Sequence, residues 1–117
     1  MKKDDMVYIG HMLDKAYTVI HNVKGKDYQE FYNDEFFRIS ITFWLQIIGE
    51  AARLVSEATR QAYPNIPWSD IVGMRHRIVH DYLNINFKIV WTVATDELPE
   101  LVKELEKIVP IEERDAD

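Results

Sequence analysis

Between Glu35 and Tyr63 the chain carries no proline, and Phe36, Phe37, Ile39, Phe43, Trp44, Ile47, Ile48, Ala51, Leu54, Val55 and Ala58 recur at helical steps. That spacing predicts one long helix, roughly 40 Å at about 1.5 Å per residue. Its first half, from Ile39 to Ile48, is apolar on most sides, which predicts a central helix buried by more than one neighbour. Glu50 lies in the same run between Gly49 and Ala51, where it is either paired on a buried face or simply at the helix surface. Pro64-Asn65-Ile66-Pro67 ends the run, because two prolines in four residues cannot continue a helix.

The flanking segments are helical as well. Met6, Ile9, Leu13, Ala16 and Ile20 predict a first helix over residues 4 to about 23, with Asp4 or Asp5 as its cap and Gly25 as its left-handed stop. Tyr28, Phe31 and Tyr32 predict a short turn before Asn33-Asp34, which can cap the long helix. After Pro67 a helix with Ile71, Met74, Ile78 and Val79 on its apolar face is expected to end near Tyr82-Leu83-Asn84. Asn86-Phe87 restarts the pattern until Asp96-Glu97-Leu98-Pro99 interrupts it. A last helix then runs to Val109, with Leu98, Leu101, Leu105 and Ile108 as its stripe. With short loops between them, these elements make an all-α antiparallel bundle of four to five helices over residues 1–110, followed by an acidic tail over 111–117.

At 117 residues such a bundle is one domain. No apolar run is long enough to span a bilayer, and the opening Met-Lys-Lys-Asp-Asp lacks the apolar core of a leader, so a cytoplasmic protein with no membrane partner is expected. The absence of cysteine excludes disulfides and thiolate metal sites. The net charge of −6 is concentrated: residues 96 to 117 hold nine acids and three bases, and residues 1 to 95 hold eleven of each. That distribution argues against broad non-specific nucleic-acid binding and leaves room for a local basic cleft.

The chemistry-bearing residues crowd into Arg75-His76-Arg77-Ile78-Val79-His80-Asp81-Tyr82. Guanidinium is a permanent cation suited to phosphate, and imidazole is matched to proton transfer near neutral pH. Together they suit metal-independent RNA cleavage by the substrate's own 2′-hydroxyl, with no cofactor. On one ideal helix, Arg75 and His80 lie about 140° apart. Either the helix loosens near His80, or another chain completes the site. Arg77 and His80, three apart, share a face, which makes Arg77 a rival to Arg75. His76 and His80 have the spacing of a metal pair, but no glutamate follows His76 as in the protease motif. A solvated basic helix face stays open on composition alone.

Gly73 to Tyr82 resembles the signature of HEPN-domain proteins, in particular the HepT-like toxins paired with minimal nucleotidyltransferase (MNT) antitoxins. Arg75, His80 and Tyr82 match Arg-x4-His-x-Tyr, and the similarity extends through Ile47 to Ala52, Ile66-Pro67-Trp68 and Val90-Trp91. The resemblance implies an α-helical bundle that forms a homodimer, with the two motifs meeting in a ribonuclease site of a type VII toxin-antitoxin system. It implies Arg75 and His80 as catalytic residues, Tyr82 as the acceptor of AMP from the partner nucleotidyltransferase, and Glu50 as a polar support on the long helix. His76 replaces an asparagine often found after the motif arginine, which leaves its role open. A reading from another class is a non-catalytic interaction subunit that helps a nucleotidyltransferase bind its substrate.

Overall fold

The computed structural model describes residues 1–81 and 84–109, so the expected tail over 111–117 lies outside the described residues. Helix α1 (Lys3–Val23) packs along α3 (Glu35–Leu54), and the short α2 (Tyr28–Asn33) closes one end. Helices α4 (Glu57–Ala62), α5 (Trp68–Val72) and α6 (Met74–Ile78) follow, each of one or two turns. A two-stranded antiparallel hairpin, β1 (Val79–Asp81) and β2 (Asn84–Ile85), leads into α7 (Phe87–Thr92). Helix α7 continues through a π-helical turn (Val93–Glu97) into α8 (Leu98–Glu106). The all-α class holds. Among the described residues the four to five expected helices become three long rods and four short segments between them, with one small hairpin.

Local signals explain several boundaries. Gly25 takes φ 77°, as a left-handed stop requires. Asp34 accepts from Phe37 N at 3.0 Å and caps α3. Asp27 and Glu30 form a capping box at the start of α2, with both bonds near 3 Å. Asn86 caps α7 by accepting from Ile89 N at 3.1 Å.

From the expected stripes Ile9, Leu13, Ala16, Ile48, Ala51, Ile78, Val90, Leu98 and Leu105 are all buried, and Ile41 and Leu45 of α3, which the expected pattern omitted, join them. The outer side of α3 does not follow the expectation. Phe36 is 84% exposed, Phe43 59%, Ile39 47% and Leu54 45%, so the described residues leave much of this side of the helix uncovered.

Two helix boundaries also differ. Asp5 does not cap α1, whose N-cap residue Lys2 makes no side-chain cap bond. Instead Asp5 is buried and accepts from Ser56 N at 2.9 Å, Ser56 Oγ at 2.6 Å and Thr59 Oγ1 at 2.6 Å. This contact holds the break that divides the expected long helix. Val55 is extended and Ser56 caps α4.

Burial works against ionisation of Asp5, but the hydroxyl and amide donors and nearby Lys2 outweigh it and hold its pKa below the ordinary 3.8. Asp5→Ala strands two hydroxyls and an amide, so thermal or urea unfolding is expected to show a loss of about 2 to 4 kcal/mol. Because the folded pKa is depressed, the charge contributes stability above the ordinary carboxylate range and loses it as pH falls through the folded value. Acid unfolding should therefore have a shallower pH dependence in Asp5→Asn than in the wild type; identical dependences would disprove this role.

Candidate active site

The stretch that carries the basic residues is not one helix. Gly73, at φ −84° and ψ 13°, joins α5 to α6, its N–H donating to Ser69 O at 2.9 Å. α6 ends at Ile78, because Val79 turns extended at φ −112° and ψ 109°. Ile78 and Val79 are both β-branched, which favours the strand that follows. Asn86 N donates to Ile78 O at 2.7 Å and ties the hairpin to the end of α6. The expected helix to Asn84 is thus corrected: Arg75 is on α6 and His80 on β1. The ideal-helix angle between them no longer applies, and of the two alternatives the helix does give way before His80. The same break removes the one-helix spacing that made His76 and His80 a metal pair. Among the described residues, no three His, Asp or Glu side chains converge as a ligand set.

Arg75, His76 and His80 are exposed, and none makes a side-chain hydrogen bond or ion pair among the described residues. Arg77 differs. Its Nη1 and Nη2 donate to Glu97 Oε1 and Oε2, both at 3.0 Å, a bidentate pair between α6 and the π turn. The bond to Glu97, opposed by partial burial and helped by the charges of Glu97 and Asp70, raises the Arg77 pKa above the ordinary guanidinium value. The two arginines thus differ: Arg77 is paired with a carboxylate, whereas Arg75 has no such partner among the described residues. Asp81 is held by Asn84 Nδ2 at 2.9 and 3.0 Å, across the hairpin. Tyr82 lies outside the described residues.

Helix α3 carries the other side of the site. Phe43, Gln46, Ile47 and Glu50 of α3 line a shallow depression with Val72 and Arg75. Glu50 is exposed and paired at once: Arg53 Nη2 donates to its Oε1 at 2.6 Å, and the hydrogen bond holds its pKa below the ordinary carboxylate value. Gly49 sets the approach of the two segments. A Cβ there would lie 2.7 Å from Ile71 O and 3.2 Å from Met74 Cβ, so only glycine lets α5 and α6 come this close. The sequence reading did not find Glu97 or the bare side of α3. Glu97 has no local signal, because its partner is 20 residues away. The bare side was visible only as excess hydrophobicity.

Comparison with known proteins gives consistent results. A family model described as "Ribonuclease HepT-like" matches residues 13–108. A protein of Methanocaldococcus jannaschii named "Putative RNase" is 34% identical over 90% of this chain and 96% of its own. One of Caldanaerobacter subterraneus subsp. tengcongensis with the same designation is 32% identical over 87% of this chain and 91% of its own. The "Probable ribonuclease HepT" of Thermococcus cleftensis is 22% identical over 92% and 98%. No solved structure matches with significance.

Proposed function

The chain belongs to the HepT-like ribonuclease family, and on that premise we propose that it is a metal-independent endoribonuclease with a site shared between two copies, Arg75 holding phosphate and His80 moving protons. The observation that carries this reading is that Arg75 and His80, at either end of the Arg75–His80 segment, are both exposed and without partners among the described residues, whereas Arg77 between them is bound to Glu97.

In the proposed reaction the 2′-oxygen of RNA attacks the adjacent phosphorus and the bond to the 5′-oxygen breaks, leaving a 2′,3′-cyclic phosphate and a 5′-hydroxyl. One His80 imidazole accepts the 2′ proton and a second donates to the leaving oxygen. Arg75 offsets charge gathering on the phosphoryl oxygens. Each chain has one such histidine, so two copies related by a two-fold axis supply the pair. The apolar side of α3, which borders the same depression as Arg75, supports that arrangement.

The reading includes control by a partner. A nucleotidyltransferase of the MNT type transfers AMP to Tyr82: the phenolic oxygen attacks the α-phosphorus of ATP, pyrophosphate leaves and the phenol proton is lost. The added phosphate competes with RNA for Arg75 and repels the substrate. This makes the chain the toxin of a toxin-antitoxin pair.

One experiment tests both parts. Purified protein is incubated with total RNA in chelator, before and after treatment with the partner and ATP. Cleavage in chelator is expected, ending in 5′-hydroxyls, and is lost when intact mass shows AMP addition. Dependence on a divalent metal would overturn the chemistry. Equal modification of Tyr82→Phe would overturn the acceptor.

A further inference from the structure

We propose that Glu97, far from the motif in sequence, is a positioning residue for the cleavage site, acting through Arg77 to fix how α6 presents Arg75 and how the chain leaves α6 toward His80. The proposal rests on the ribonuclease reading.

The π turn explains how Glu97 comes to face Arg77. Val90 is fully buried, and on an ideal α-helix a residue seven positions later lies within about 20° of it, which would aim Glu97 into the core. Instead Leu98 N–H donates to Val93 O, five residues back. The widened turn shifts the phase, so that Leu98, 2% exposed, takes the core position and Glu97 moves to the rim. There its two oxygens meet the two terminal nitrogens of Arg77, both at 3.0 Å. A planar fork on a carboxylate fixes orientation as well as distance.

The rod that carries Glu97 holds α6 at a second point as well. Asn86 takes Ile78 O on its N–H and caps α7 with its side chain. Ten residues separate Phe87 from Glu97, roughly 15 Å of helix. Both attachments act on the C-terminal end of α6, one on the Arg77 side chain and one on the Ile78 carbonyl, and from points that far apart on one rod they set the direction of that end of a segment only five residues long. Arg75 lies two residues before Arg77 and His80 three after it, so a loosened fork lets both drift. Reacting groups held loosely lose rate more than binding.

The test uses the full chain with Glu97→Gln, which keeps the shape of the side chain, and Arg77→Lys, which keeps the charge but not the fork. Steady-state cleavage is measured together with thermal unfolding. The His80 ring resonance is recorded by NMR in protein without substrate, with His11 and His21 as controls. Glu97→Gln is expected to lower kcat roughly tenfold or more, with KM changed less than about twofold. Tm should move by a few degrees at most, since the pair is partly exposed, and Arg77→Lys should fall between. The His80 resonance should shift or broaden while the controls stay fixed. An unchanged His80 resonance, a wild-type kcat, or a change in KM alone would overturn the proposal; the last would mean that the pair only tunes charge. A wild type that does not cleave RNA would instead defeat the ribonuclease reading, and the His80 resonance would still decide whether the fork orders the segment.

Discussion

Replacing His80 by alanine is expected to lower RNA cleavage by about 10²- to 10⁴-fold, the usual scale of a lost acid-base group. Helical circular dichroism and Tm should be unchanged. The side chain is exposed on β1 and has no partner among the described residues, so its removal opens no cavity and strands no polar group. Mixed chains extend the result. When wild-type protein exchanges with a growing excess of His80→Ala chains, independent sites give activity linear in the wild-type fraction. A cleft that needs both histidines gives the square of that fraction. A linear dependence, with exchange verified by mass, would reject the shared site, and retained cleavage by pure His80→Ala would reject His80 as the proton carrier.

The second large effect is expected from Phe43→Asp. Phe43 is 59% exposed in the single chain, so the change should leave monomer stability almost intact. In a two-fold assembly it occurs twice on one surface and buries two carboxylates where two rings stood. Burial of an unpaired charge costs several kcal/mol, enough to move a dimer to monomer at micromolar protein. Sedimentation should show the monomer, and cleavage should fall about a hundredfold or more, since a site lacking its second histidine loses an acid or a base. A fully active dimer would mean that the bare side of α3 is not the joining surface.

Much of this was legible in the sequence where the cause was local. Gly25 by its backbone freedom, Pro67 by its ring, and Asp34 and Asn86 by capping side chains mark boundaries within a turn of themselves. What was not legible depends on distant partners. The break at Val55 and Ser56 is tied to Asp5, 51 residues away, and within the run only Ser56, a residue suited to a helix start, hints at it. Arg75 and Arg77 look equivalent by type, and only the fold shows that Glu97 occupies one of them. By sequence Glu50 is either a paired or a surface carboxylate, and Arg53 makes it both. The excess apolar surface of α3 called for a neighbour, but hydrophobicity carries no information on whether that neighbour belongs to the same chain.

The contact at Gly49 has a mechanical consequence. Where two elements meet through side chains, their spacing adjusts as rotamers change. Here α3 meets α5 backbone against backbone, with no room even for a methyl group beside Ile71 O. That contact is a hard stop. Core substitutions on the far side of α3, toward α1, can alter how firmly the bundle holds without changing the gap between the α3 ridge and the basic segment. Resistance to unfolding and placement of the basic segment are thereby separated, and each can vary at little expense to the other.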